Sequence, residues 1–162
     1  MEYLDIVDKN DNVIGKASKD EIYAKLLSHR IVHIFIFNDK NELALQLRSK
    51  KVSFCPLHWS TPVGGHVQSN ENYEEAALRE FEEELGLKTK IDFLRKDFYS
   101  DSRGNKKFLV TFKTIFNGPF KPDKEVVEKV EFFSTDEIKK MIIHKEKFHP
   151  ELLFLLKRHF KI

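Results

Sequence analysis

With one cysteine, Cys55, among 162 residues, the chain can form neither an internal disulfide nor a multi-cysteine zinc site, which suits a reducing compartment. No apolar run approaches the roughly 20 residues that a membrane-spanning helix needs, so no membrane span is expected. The segment Met1-Glu2-Tyr3-Leu4-Asp5 carries neither the basic stretch nor the apolar core of a secretory signal; the expectation is a cytoplasmic protein. Excess charge is also lacking. The 28 Lys and Arg nearly cancel the 26 Asp and Glu, leaving a formal +2, too weak a field to favour nucleic acid or a membrane surface as partner. Repeats, low-complexity tracts and flexible linkers are missing as well. What is present is 41% apolar residues, enough for one domain over residues 1–162 with a proper core.

Local patterns place the elements. Residues 3–7 and 13–16 flank the turn formers Asp8 to Asn12, which predicts a hairpin. Ser18 and Glu21 form a capping-box pair, and Ile22, Leu26 and Leu27 fall at helical spacing, predicting a helix up to His29. Residues 31–37 are almost wholly apolar and read as a central strand covered on both faces, although a buried helical segment fits the same run. A strand over 43–47, a basic stretch at 48–51 and an extended 60–63 follow. Asn72 with Glu75 caps a helix that Gly86 stops. Strands are expected over 91–99, 107–116 and 126–133. A helix opens at Ser134, and a last one runs from about 149 to 160 with Pro150 in its first turn. Strands interleave with helices without regular βαβ alternation, so the fold class is α/β in the α+β sense, a mixed sheet sandwiched between α-helices. The N-terminal part is a hairpin and helix (about 3–29), and the hairpin offers an edge for a homodimer.

Chemistry concentrates between Gly64 and Leu87. At 100° per residue, Glu80, Glu83 and Glu84 share roughly one third of the helix circumference, while Leu78, Phe81 and Leu85 gather on another side. Like charges three and four residues apart repel, by a few tenths of a kcal/mol per pair, so something must offset them. Two readings stand: a solvated acidic face, or a site for a hard cation such as Mg²⁺ or Mn²⁺.

The whole pattern chooses. Gly65, Glu71, Arg79-Glu80, Glu83-Glu84, Gly86 and the apolar Leu87 together resemble the signature of the Nudix hydrolase family. Seven positions each demand one residue type; at about 7% apiece a chance match is on the order of one in 10⁸. Phe81 stands where an aliphatic residue is more usual, a difference expected to alter side-chain contacts and not chemistry. The resemblance implies a loop-helix-loop in which Glu80, Glu83 and Glu84 hold divalent metal, Mg²⁺ or Mn²⁺, helped by the Gly64 carbonyl. Arg79 would pair with Glu71 or Glu83 and position the carboxylates, and the activity implied is hydrolysis of a small-molecule diphosphate. A later loop in such proteins often adds a carboxylate as ligand or base. Residues 122–128 are the source here, with Glu125 preferred over Glu128, and Glu82 is expected to be solvated.

Beyond this motif the chain, over roughly 3–140, is similar to type 1 isopentenyl-diphosphate isomerases and their hydrolase relatives. In those isomerases a catalytic cysteine aligns with Gly64, and metal-binding histidines align with His29 and His66. Gly64 cannot protonate an alkene, and the acidic motif is intact, so hydrolysis is favoured over isomerisation. A nucleotide-binding module without catalysis is the other alternative, and it has no need of the intact carboxylates. His66, Arg48 and Lys51 are candidates for gripping the diphosphate. His29 reads as a cation at a helix end and His33 as a satisfied core residue, while Cys55 reads as an idle thiol.

Overall fold

The computed structural model describes residues 1–162. The Asp8 carboxylate accepts the amides of Asn10 and Asn12 at 2.8 and 2.9 Å, closing the turn between β1 (Tyr3–Val7) and β2 (Val13–Ser18). Ser18 accepts the Glu21 amide and starts α1 (Lys19–Ala24). This helix is shorter than its pattern suggested. Leu26 takes a positive φ of 55° and the Leu27 amide turns back to the Ile22 carbonyl. His29 therefore opens the next strand, fully buried, and does not sit at a helix end.

The remaining elements are β3 (His29–Phe37), β4 (Leu43–Arg48), β5 (Trp59–Ser60), β6 (Val63–His66), α2 (Tyr73–Leu85), β7 (Asp92–Ser100), β8 (Lys106–Ile115), β9 (Val127–Phe133), α3 (Thr135–Ile143) and α4 (Pro150–His159). They build a mixed sheet in the order β5-β4-β3-β8-β7, with β6 on β3 and β9 on β4. β3 and β8 run parallel in unbroken register from His29↔Lys107 to Phe37↔Ile115, and every other pair is antiparallel.

Alternation along β3 sends its side chains into two separate cores. Ile31 and Phe35 meet Leu109, Ile138 and Leu152, Leu155 and Leu156 on the α3 and α4 side. Val32, Ile34 and Ile36 meet Ala76, Ala77, Phe81 and Leu85 of α2 on the other. Burial of each such large side chain contributes about 1.5–3 kcal/mol, so covering both faces is what makes the apolar run at 31–37 a strand. Arg158 and His159 at the end of α4 bond Asp97 of β7 at 2.7 and 2.8 Å, fastening that helix across the sheet. No helix is long and apolar enough to cross a membrane.

The hairpin has its own small core of Leu4, Ala17 and Ile22. It grips the loop leading into α2, because Tyr3 accepts the Ser69 amide at 2.8 Å and Asp5 accepts the Ser69 hydroxyl at 2.9 Å. Its tip is fixed by Asp11, a buried carboxylate that receives Arg30 of β3, Tyr73 of α2 and Lys96 of β7. Burial pushes this carboxyl up, but the bonds from Lys96, Arg30 and Tyr73 outweigh it and hold the group below its ordinary value. Asp11→Ala should lower the unfolding free energy in urea titrations at pH 7 by about 3–5 kcal/mol, the cost of leaving a buried partner unpaired. A depressed folded pKa stabilises above the unfolded value near 3.9 and fades as pH falls through the folded one. The gap between wild type and Asp11→Ala should therefore begin to narrow below about pH 4.

Candidate active site

Gly64 and Gly65 lie on β6, which pairs with β3 through His33↔Gly64 and Val32↔Gly65. α2 begins with a complete capping box between Asn72 and Glu75 and ends at Gly86 in the left-handed conformation, φ 67°. The helix buries Ala76, Ala77, Phe81 and Leu85. Leu78, expected on that side, is 36% exposed; small alanines complete the buried face and let β6 come close. The approach is tightest at Gly65, where a Cβ would lie 2.3 Å from the Glu80 carboxyl. A side chain there and that carboxylate cannot share the space.

Arg79 ties the motif together. Its Nε and Nη2 donate to the two Glu71 oxygens at 2.7 and 2.9 Å, and Nη2 also to the His66 carbonyl at 3.0 Å. Nη1 donates to Glu80 at 2.9 Å and to Glu83 at 3.3 Å. One planar cation thus holds the loop before the helix and two carboxylates on it.

Glu80 and Glu84 face each other, and burial pushes both carboxyls up. Glu80 reaches about 6 against the pull of Arg79. Glu84 rises well above the usual carboxylate range, with Glu80 adding to the effect of burial. Gln46 donates to Glu84 at 2.8 Å, and it and the nearby Gly64 amide work against the rise. Two half-buried carboxyls in contact cannot both stay ionised without a cation or a shared proton. Glu83 departs from the expected cluster: it is 58% exposed and leans to Arg79. With the side chains so placed, no three acidic, His or Cys groups converge around one point. The donor chemistry of Glu80 and Glu84, the Gly64 backbone beside them and the gap left by Gly65 nevertheless fit a divalent ion.

These groups form one wall of a cleft of about 950 Å³. Of the other candidates, Arg48 and His66 line it. Arg48 donates to the Phe54 carbonyl at 3.1 and 2.9 Å. His66 bonds the Tyr23 hydroxyl at 2.6 Å through Nε2 and stacks on His29 with ring centroids 5.7 Å apart. Burial, with the charges of Lys19, His29 and Lys107, pushes His66 down to about 3, and burial pushes His29 to about 4. Both rings are neutral at ordinary pH.

Glu125 and Lys51 are not brought in. They pair with each other at 2.9 Å with side chains 71% and 55% exposed, and neither lines the cleft. The loop carboxylate that does line it is Asp123. The amides of Lys121 and Asp123 are pinned to the carbonyls of Leu85 and Glu84, which turns Asp123 toward the cleft and leaves Glu125 and Glu128 in solvent. Glu82 is solvated, 3.6 Å from Lys88. His33 is buried between Thr61 and Glu151, at 2.7 and 2.9 Å, and Glu151 also takes Lys107 at 2.9 Å. Asp123, Gln46, Lys107 and Glu151 were not among the candidates that the sequence singled out; only the nearness of Asp123 to Glu125 pointed toward one of them.

Gly65→Ala should displace the Glu80 carboxyl, the end of a flexible side chain, and leave the backbone in place. Turnover should fall at least about tenfold while the thermal midpoint stays near that of the wild type, as activity assays and calorimetry on one preparation would establish.

The family model described as a NUDIX domain matches residues 27–153. An uncharacterized Nudix hydrolase of Yersinia pestis is 33% identical over 138 residues, covering 85% of this chain and 76% of that protein. The uncharacterized Nudix hydrolase YfcD of Escherichia coli K12 is 30% identical over 137 residues, with the same coverage of 85% and 76%. A crystal structure of a Deinococcus radiodurans protein matches with a TM-score of 0.85 at 25% identity, over 97% of this chain and 98% of that one. The NUDIX domain of Shewanella oneidensis NrtR, complexed with ADP ribose, shares the fold at 18% identity and a TM-score of 0.62, over 90% and 98% of the two chains. Carrying this match across most of its length and the loop-helix-loop at its centre, the chain belongs to the Nudix hydrolase family, enzymes acting on diphosphate bonds.

Proposed function

We propose that the protein is a Mg²⁺-dependent pyrophosphohydrolase, accepting Mn²⁺ as well, which cleaves the diphosphate linkage of a nucleoside diphosphate derivative or another small organic diphosphate. The observation that carries this reading is the pair of facing carboxyls, Glu80 and Glu84, set in the cleft wall against the Gly64–Gly65 strand, where burial works against their charge and a cation would relieve it. Glu80 and Glu84 would hold the ion, with Glu83, exposed beside Arg79, and the Gly64 carbonyl completing the set. Bound there, the ion would neutralise the diphosphate, polarise phosphorus and lower the pKa of water.

The chain's own residues supply the rest. Arg79 keeps Glu80 and Glu83 aimed while Glu71 anchors it. Asp123 is our choice of base to take the proton of the attacking water, in place of Glu125. Arg48 and His66 lie along the cleft as contacts for substrate oxygens. A Cβ at Gly64 would sit 3.1 Å from His33 Nδ1 and 3.2 Å from Thr61 Oγ1. A side chain at that position would crowd both groups, and the glycine that stands there offers no thiol, which weighs against an isomerase-like reaction despite the resemblance to that branch. ADP ribose, bound by the Shewanella domain, is a molecule of the proposed class and belongs among the compounds to try.

The test is phosphate release from a panel of organic diphosphates with Mg²⁺, comparing wild type with Glu80→Gln and Glu84→Gln. Both variants should lose about two orders of magnitude or more in kcat and keep their thermal midpoint. Chelation of the metal should abolish turnover in wild type. Nucleotide binding without turnover in any of the three proteins would make the chain a binding module instead. Asp123→Asn should lose at least about tenfold in kcat while Glu125→Gln stays near wild type; the opposite order would return the base to Glu125.

A further inference from the structure

Away from the acidic wall, the cleft opens into a side lobe of about 280 Å³ lined by Phe54, Tyr99, Arg103, Lys107 and His149 among others. Its acidic groups are already engaged. Glu151 gives one oxygen to His33 and the other to Lys107. Asp101 gives one to the amides of Arg103 and Asn105 and the other to the Asn105 side chain.

Its donors are not used up. Lys107 is 8% exposed. Burial opposes its charge, but Glu151 and Tyr23 outweigh that and keep it protonated. Glu151 takes one of its three N–H groups at 2.9 Å, the ammonium lies 5.3 Å over the Tyr23 ring, and the residue lines the cleft. His149 caps α4 by accepting the Glu151 amide on Nδ1 at 3.1 Å. Burial chiefly pushes this ring down to about 4, so at neutral pH its one proton sits on Nε2, which bonds nothing in the protein. Arg103 makes no ion pair or side-chain hydrogen bond; its guanidinium lies 5.8 Å over the Phe54 ring, which packs edge-to-face with His149, ring centroids 5.4 Å apart. Arg48, bonded to the Phe54 carbonyl, adds a further positive charge beside the lobe.

We infer that this lobe is an anion subsite, in which Arg103, Lys107 and His149 donate to a phosphate group carried by the substrate at the end away from the scissile linkage. The inference rests on the diphosphate hydrolase reading above and deepens it. Substrates would be organic diphosphates with a further phosphate, gripped by acid-held metal at one end of the cleft and by fixed donors at the other. Charge-assisted donors of this kind set specificity, because a substrate without the distal group leaves them desolvated and unpaired.

The test needs neither metal nor turnover, so it is independent of the catalytic assignment. Orthophosphate is titrated into the chelator-treated protein and followed by amide chemical shifts. Saturable shifts are expected in the 101–107 and 149–152 segments and not at Gly64 and Gly65. Arg103→Gln should weaken this binding about tenfold or more, and Arg103→Lys should retain part of it. Glu84→Gln should leave it unchanged. Absence of saturable shifts, or shifts insensitive to Arg103→Gln, would overturn the subsite. Kinetics separate a substrate phosphate from a free one: with the panel compound turned over fastest, orthophosphate should inhibit competitively in wild type and far less in Arg103→Gln. Non-competitive inhibition would make the lobe an effector site and sink the substrate assignment. Loss of all turnover in Glu84→Gln alongside intact phosphate binding would uphold both readings. Turnover that survives in Glu84→Gln would remove the catalytic one alone.

Discussion

The guanidinium of Arg79 is the interaction on which the site depends. Glu71, Glu80, Glu83 and the His66 carbonyl lie on a loop, a helix and a strand end, and all four converge on that one group. Without it, an acidic helix face beside a buried sheet would repel itself and swing outward. With it, the Glu80 carboxylate is held against β6 at a distance that only glycine permits. Stability is given up locally to gather charge, and the doubly covered sheet supplies the rigidity that makes this tolerable.

Elsewhere the same logic recurs with opposite sign. The buried Lys107–Glu151–His33 chain places charged groups under the cleft floor, where ions are costly unless each is bonded. Every oxygen of Glu151 has its donor, so the network is satisfied within the protein while Lys107 still lines the cleft. The cleft thus has an acidic wall that calls for a cation and a donor-lined lobe that calls for an anion, which is the polarity a phosphorylated diphosphate would meet.

The N-terminal hairpin takes part in this arrangement from outside. Asp11 bonds residues of β3, α2 and β7, and the strand Tyr3–Val7 holds the loop that carries Glu71. The hairpin is thereby a clamp on the entry to α2.

Secondary structure was legible in the sequence wherever the signal was local. Capping boxes at Asn72 and Ser134, the αL stop at Gly86 and the apolar run at 31–37 all act within a few residues, and the elements formed as their patterns implied. The signature from Gly65 to Leu87 was legible for the same reason, since its residues share one turn-helix-turn. Tertiary structure decided the rest. Residues 122–128 have no periodicity to say which carboxylate faces inward; that followed from amides pinned to the end of α2, which chose Asp123 over Glu125. His29 became a strand residue because pairing with β8 outweighed its helical neighbourhood. Lys107 and Glu151, 44 residues apart, meet only because β8 lies parallel to β3 and α4 folds back beneath them. Contacts between distant segments depend on how the whole chain closes, and no window of sequence contains that information.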